Sequence, residues 1–115
     1  MITKNKMLFT SVVFLILTLQ LSGCSSVKVG RDFDVQLFNN SVKTQVTTKS
    51  EVRRWLGEPG STGISLDKEG ELSDEWMYFY GAGTLSNMQK AKLKILQIRF
   101  NKSGVINSYN WSDSK

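Results

Sequence analysis

A short apolar run near the N-terminus limits which part of the chain can form a globular domain. Lys4 and Lys6 precede the run, which covers residues 7–19 (MLFTSVVFLILTL). Its length is typical of the apolar region of a secretory signal, about 7–15 residues, whereas a membrane-spanning helix needs roughly 20. We therefore expect residues 1–23 to be a signal peptide and the folded part of the protein to lie within residues 24–115.

The only cysteine of the chain, Cys24, lies just beyond this run. Residues 21–24 (LSGC) resemble the lipobox of bacterial lipoproteins. In that family the thiol is first joined to a diacylglycerol, and the chain is then cut before the cysteine. The resemblance therefore implies cleavage between Gly23 and Cys24 and a lipid on Cys24. A single cysteine in an exported chain has no internal disulfide partner, which agrees with its modification.

Lipidation at Cys24 also predicts where the domain works. Each buried methylene group contributes about 0.8 kcal/mol, and stable anchoring takes more than one acyl chain. An aspartate after the cysteine tends to retain lipoproteins in the inner membrane, and here that position is Ser25. The resemblance thus implies an outer-membrane protein that faces the periplasm. The alternative is an uncleaved signal anchor with an incidental buried cysteine.

The residue types after Cys24 give little support to catalysis. The chain has no histidine, which removes the commonest general base and metal ligand. Lipidation would occupy the only thiol. Acidic residues cluster within residues 67–75, and two carboxylates are the minimum for glycan cleavage, but a solvated turn explains the cluster more simply. We expect no catalytic residues, no metal, no cofactor and no small-molecule substrate.

The charge of the chain also bears on its partners. Two of the 15 Lys and Arg residues lie in the signal segment, and the remainder exceed the 10 acidic residues only slightly. A mild positive charge suits a domain beside an anionic membrane, but it is too weak to indicate nucleic-acid binding. We therefore expect a membrane partner, reached through the lipid on Cys24, and no nucleic-acid partner.

Residues 48–59 (TKSEVRRWLGEP) carry the clearest local signal for a helix. Thr48 followed by Glu51 is the pattern of a capping box at a helix N-terminus. Gly57 is a typical helix stop, and Pro59 prevents the helix from resuming. The apolar residues between them have the spacing of one helical face: Val52, Trp55 and Leu56. This helix is too short to persist alone, so its apolar face must pack on something else.

The rest of the chain after Cys24 predicts a helix and several strands. The expected elements are a lipidated tether over residues 24–34, a helix over 34–43, a short strand over 61–66, a loop over 81–89, and sheet strands over 75–81, 92–101 and 105–111. We therefore predict an α+β domain over residues 35–115, in which two short N-terminal helices pack on a three-stranded antiparallel sheet as a two-layer sandwich.

Several short blocks resemble the SmpA/OmlA (BamE-like) family of small outer-membrane lipoproteins. The blocks are residues 48–52 (TKSEV), residues 56–59 (LGEP), Trp76 with Tyr78, residues 98–100 (IRF) and residues 104–105 (GV). The similarity extends over about residues 42–109. It implies a sandwich of two helices and three strands without catalytic activity, and a role in binding other envelope proteins. The resemblance identifies no partner-contacting residue, because the matching motifs are structural.

Alternation along the strands suggests two candidate binding surfaces. The first is an aromatic stripe of Trp76, Tyr78 and Tyr80, which would be exposed if Met77 and Phe79 filled the core instead. Core packing of the stripe against the helices is the alternative. The second is a lysine strip of Lys90, Lys92 and Lys94, which would contact anionic lipid headgroups. Protection of a sheet edge is the alternative for the strip.

Two functions agree with these features. The first is a lipid-anchored scaffold that binds an envelope protein and supports the assembly or maintenance of the outer membrane. The alternative is a tethered inhibitor or exclusion factor that acts on a periplasmic enzyme or an incoming element. A scaffold should be captured within a membrane complex, whereas an inhibitor should block a defined enzyme.

Overall fold

The computed structural model describes residues 2–20 and 26–114. Its elements in chain order are α1 (Ile2–Gln20), β1 (Ser26–Gly30), α2 (Val35–Ser41), α3 (Lys49–Leu56), β2 (Ser61–Leu66), β3 (Leu72–Thr84), β4 (Asn87–Phe100) and β5 (Ile106–Ser114). Over residues 6–16 of α1, every side chain is exposed. In the part of the chain described here, no helix has both the length and the apolar character needed to cross a membrane.

The capped helix is confirmed in detail. The Thr48 hydroxyl accepts a hydrogen bond from the backbone N–H of Glu51, and the Glu51 carboxylate accepts one from the backbone N–H of Thr48, which is the reciprocal pattern of a capping box. The helix ends at Gly57, where φ is 81° and glycine is the least strained residue. The helix predicted over 34–43 is also present as α2, with Asp34 as its N-cap.

One antiparallel sheet contains all five described strands. Its order is β1-β3-β4-β5, and β2 also pairs with β3. Because β4 occupies one edge of β3, the strands β1 and β2 share the other edge. There β2 pairs with residues 72–77, and β1 pairs with residues 80–84. The length of β3 therefore sets the length of the whole sheet.

The predicted three-stranded sheet is wrong, although the fold is α+β in general. Both additional strands, β1 (SVKVG) and β2 (STGISL), are almost entirely exposed. Neither supplies a core residue, so hydrophobic periodicity cannot show that they join the sheet. Their pairing depends on backbone hydrogen bonds to β3. As a result, residues 26–30, which were expected to be part of the tether, form β1. The short strand expected over residues 61–66 is present as β2 and belongs to the sheet.

The loop predicted over residues 81–89 is also wrong. β3 continues to Thr84 and β4 begins at Asn87, so only Leu85 and Ser86 form the turn between them. The glycines of the GAGT sequence indicated a turn. They are instead strand residues, paired with β1 on one side and, at Gly81, with β4 on the other.

The hydrophobic core lies between the sheet and the helices α2 and α3. It contains Phe38 of α2, Val52 of α3, and Leu96, Ile98 and Phe100 of β4 as fully buried side chains. Edge-to-face ring pairs connect the two layers and the strands. Phe38 contacts Tyr109 of β5 at 5.1 Å between ring centroids, and Phe100 contacts Trp76 of β3 at 4.9 Å. Both helices thus cover the same face of the sheet and leave the other face without them.

Candidate binding surface

The predicted lipidation residue Cys24, and the cleavage position between it and Gly23, lie outside the described residues. The first described residue after them is Ser26, which begins β1 and pairs with Thr84 at the end of β3. The domain therefore starts beside the β3–β4 turn, at one end of its long central strand.

The predicted aromatic stripe lies on the face that the helices cover. Trp76 and Tyr78 are 5% and 3% exposed, and Tyr80 is half-buried against the same core. The Tyr78 hydroxyl donates a hydrogen bond to the Gly57 carbonyl at 2.8 Å. Burial raises the pKa of Tyr78 to about 12, so its hydroxyl remains a donor at neutral pH. The hypothesis that this stripe is an exposed binding surface is wrong, because Trp76 and Tyr78 are buried in the core.

The three lysines of the predicted strip have different surroundings. Lys94 forms an ion pair with Asp32 at 2.9 Å and donates a hydrogen bond to the Phe33 carbonyl. The Lys94 hydrogen bond lowers the pKa of Asp32, and the same bond raises the pKa of Lys94. Lys94 therefore holds the segment after β1 against β4. Lys90 and Lys92 are exposed near the β3–β4 turn.

The sheet face opposite the helices carries an apolar cluster. The register places these residues on one face, because directly paired residues of antiparallel strands point the same way: Val27 and Val29 of β1, Met77 and Phe79 of β3, and Leu93 and Ile95 of β4. We call these six residues the open-face cluster. Val29 is 56% exposed and Leu93 is 48% exposed, so the cluster is accessible.

The open-face cluster has a gap along β3, and we call this strip between the side chains of β1 and β4 the groove. Gly81 and Gly83 of β3 present no side chain on this face, while Val29 and Val27 stand beside them on β1. Leu93 stands on the other side of Gly81. Neighbouring strands lie about 4.8 Å apart, so the backbones of β1 and β4 are about 10 Å apart across β3.

The same face becomes polar toward the β2–β3 end of the sheet. Glu75 of β3 accepts a hydrogen bond from Arg99 of β4 at 3.2 Å. A hydrogen bond from Gln97 and then the bond from Arg99 lower the pKa of Glu75. Glu75 therefore stays ionised and paired at neutral pH. The open face is thus graded, with apolar groups near the β3–β4 turn and charged groups far from it.

The acidic cluster of residues 67–75 is divided between the β2–β3 turn, which contains Asp67, Glu69 and Glu71, and the start of β3, which contains Asp74 and Glu75. The Asp67 carboxylate accepts backbone N–H groups of Glu69 and Glu71 at 3.0 and 2.8 Å. Asp74 pairs with Lys49 of α3. Asp67 therefore stabilises the β2–β3 turn, and Asp74 connects the start of β3 to α3.

The described residues include two open depressions of about 400 and 370 Å³, one beside Asp32 and Lys94 and one along α1, and a smaller, more enclosed cavity. The cavity between the end of α3 and the end of β1 measures about 140 Å³ and is lined by Arg31, Glu58, Pro59 and Phe79 among others. Sites for drug-sized ligands usually measure about 300–1,000 Å³. Within residues 2–20 and 26–114, no group of three His, Cys, Asp or Glu residues has the arrangement needed to hold a metal ion.

No family model, curated protein or solved structure matches the chain.

The open-face cluster is hard to recognise in the sequence for two reasons. Val27 and Val29 alternate in a segment that was interpreted as a tether. Leu93 and Ile95 lie on one face of β4, and the core residues Leu96, Ile98 and Phe100 lie on the other. β4 is therefore apolar on both faces. That double series was the available signal, because a strand with one solvated face usually alternates apolar and polar residues.

Gly30 allows the end of β1 to lie close to the backbone of Phe79 in β3, and its replacement by alanine should destabilise the domain. Its φ is 76°, and an added Cβ would lie 2.3 Å from the Phe79 carbonyl oxygen. We expect Gly30→Ala to lower the free energy of unfolding by more than about 1 kcal/mol. Gly63→Ala in β2 is the control, because a Cβ there meets no atom within 4 Å. Urea unfolding of both variants tests this, and equal midpoints would contradict it.

Proposed function

We propose that the chain is an outer-membrane lipoprotein that is anchored through Cys24, faces the periplasm and acts as a non-catalytic binding module in the assembly or maintenance of the cell envelope. The SmpA/OmlA resemblance of the sequence suggests this role. The observation that carries the binding function is the open-face cluster, an accessible apolar groove on the sheet face that α2 and α3 do not cover.

The N-terminal segment supports the proposed anchor. An apolar helix precedes the lipobox-like residues 21–24, and its side chains over residues 6–16 are exposed. The residues of the hydrophobic core all fall between Phe33 and Ile106. The side chains described in α1, those of residues 6–16, take no part in this core, so removal of a signal peptide would leave these core contacts intact.

The open-face cluster supports a protein partner that is itself bound to the membrane. Its apolar groove lies near the start of β1, and therefore near the proposed lipid on Cys24. Interface cores are depleted in charged residues and enriched in aromatic residues and Met, and Phe79 and Met77 form part of this cluster. The anchor would hold the groove close to the membrane, where a partner residing in that membrane has a high local concentration.

Site-specific crosslinking in cells tests the proposed function. We expect a photoreactive residue at Leu93 to capture a membrane-bound envelope protein, because this position lies in the groove. The matched control is Leu72, which is 51% exposed, compared with 48% for Leu93, but lies at the far end of β3. We expect position 72 to give at most a few per cent of the crosslinked product seen at position 93.

The product of crosslinking separates the two functional hypotheses. A membrane-bound assembly captured from Leu93 supports the scaffold, and a defined periplasmic enzyme would support the tethered inhibitor instead. Equal crosslinking from Leu93 and Leu72 would contradict the assignment of the groove as a binding surface.

A further inference from the structure

The register of β1 brings the proposed lipid to a defined corner of the domain. Ser26 pairs with Thr84, and the β3–β4 turn of Leu85 and Ser86 follows directly. Cys24 is two residues before Ser26, and two extended residues span at most about 7 Å. A lipid on Cys24 must therefore enter the membrane beside this turn.

We propose that the β3–β4 turn is a second membrane contact, with Leu85 in the acyl region and Lys28, Lys90 and Lys92 against anionic lipid headgroups. The domain would then stand on the membrane with β3 pointing away from it. This inference rests on the proposed lipid anchor at Cys24, and it adds a fixed orientation that an anchor alone does not require.

The side chains around the turn suit a lipid surface. Leu85 is 66% exposed at the tip of the hairpin, where no packing in the domain explains an apolar residue. Lys28 and Lys92 are both exposed, and each pairs with Ala82 of β3 from opposite sides, so they lie on one face about two strand spacings, roughly 10 Å, apart. Lys90 lies in β4 between Lys92 and the turn.

The charge around the turn is mainly positive. Asp32 is one nearby exception, because its pKa is lowered first by the Lys94 hydrogen bond and to a smaller extent by the charge of Lys92. Neither residues 26–30 nor residues 81–93 contain an aspartate or glutamate. Asp113 is the neighbouring acidic residue on β5, and it lies directly opposite Lys94, which also pairs with Asp32. Lys28, Lys90 and Lys92 thus form a cationic group beside the anchor, and an anionic bilayer is the complementary surface that the anchor itself brings there.

The opposite end of β3 carries charges of both signs, because Lys49, Arg99 and Lys102 pair with carboxylates there. The β2–β3 turn and the start of β3 contain the acidic residues Asp67, Glu69, Glu71, Asp74 and Glu75. β3 has 13 residues, and at about 3.3 Å per residue the two ends lie about 40 Å apart. Electrostatic interactions with the membrane decay within about 8–10 Å. The end-on orientation therefore brings the lysines to the anionic surface and keeps the carboxylates out of its repulsion.

Fluorescence quenching by brominated lipids tests the orientation. The protein is purified from membranes with any lipid attached and reconstituted into vesicles of phosphatidylcholine and phosphatidylglycerol with brominated acyl chains. Leu85→Trp is compared with Leu66→Trp, because both leucines are 66% exposed but lie at opposite ends of the sheet. After subtraction of the signal of the native tryptophans, we expect strong quenching at position 85 and no quenching at position 66.

The lysines are tested in the Leu85→Trp background. We expect Lys90→Gln with Lys92→Gln to abolish the increase in quenching that phosphatidylglycerol causes. Lys68→Gln with Lys102→Gln is the control at the far end, and it should leave this increase unchanged. An equal effect of the two pairs would overturn the role of the lysines.

Acyl labelling of Cys24 in the same samples separates the two levels of the proposal. If the label is present and Trp at position 85 is not quenched, the orientation is overturned while the anchor stands. If the label is absent, the proposed anchor is overturned, and the orientation fails with it. Quenching at position 85 together with the label supports both.

Discussion

Replacement of Cys24 by alanine should abolish acylation of the protein and remove it from the outer membrane. Cys24 is the only cysteine in the chain, so no other thiol can accept the lipid. Two or more acyl chains bury dozens of methylene groups at about 0.8 kcal/mol each, which makes anchoring nearly irreversible. We therefore expect near-complete loss of a metabolic acyl label in Cys24→Ala, measured on the immunoprecipitated protein.

The size of the Cys24→Ala protein gives a second measurement. In lipoproteins the lipid is attached before the signal peptide is removed, so the variant should keep residues 1–23 and migrate as the larger precursor. Ser26→Ala is the control, because it changes a neighbouring residue and leaves the thiol in place. Acyl label that persists in Cys24→Ala would refute the anchor. Equal size and location of wild type and variant would favour the signal-anchor alternative.

Local signals in the sequence predicted the helices and the central strands well. The capping box of Thr48 and Glu51 defined α3, because it satisfies backbone groups within a few residues of each other. Leu96, Ile98 and Phe100 identified β4, because each of them enters the core. Elements that depend on nearby residues or on core burial are visible in a single sequence.

The outer strands could not be predicted in the same way. The exposed strand β1 is held by pairing with residues 80–84, and the paired residues lie at least 50 positions apart in the chain. The sequence GAGT favours a turn locally, and its place in β3 follows from having β1 on its edge. The tether predicted over residues 24–34 and the loop predicted over 81–89 were therefore wrong for the same reason, which is the long-range pairing of β1 with β3. The strand propensity of a short segment does not predict such a pairing, because it depends on the neighbouring strand.

The binding surface shows the same division between local and long-range information. Alternation correctly separated Trp76 and Tyr78 from Met77 and Phe79, but it did not reveal which face α2 and α3 would cover. The helices cover the face of Trp76, whose ring lies 4.8 Å from the Arg53 guanidinium of α3. Only the packing of the helices makes Phe79 part of an accessible surface.

Phe38→Ala should produce the largest loss of stability. The Phe38 side chain is fully buried and packs edge-to-face on Tyr109 at an interplanar angle of 87°. Replacement of a buried phenylalanine by alanine costs about 3–5 kcal/mol, because it leaves a cavity. Small domains have total stabilities of about 5–15 kcal/mol, so this loss should leave a measurable unfolded fraction. Urea unfolding should show a lower midpoint with an unchanged slope.

The adjacent Leu37 provides the control for this prediction and connects stability with function. Leu37 is 42% exposed on the same helix, so Leu37→Ala should cost far less than Phe38→Ala. Similar midpoints for the two variants would show that α2 is not anchored in the core through Phe38. In cells, unfolding in Phe38→Ala should reduce crosslinking from Leu93, because the groove requires the assembled sheet. Acylation of Cys24 should persist, because the signal segment is recognised before the domain folds. That combination would separate the anchor, which depends on residues 1–24, from the binding surface, which depends on the packing of helices and sheet.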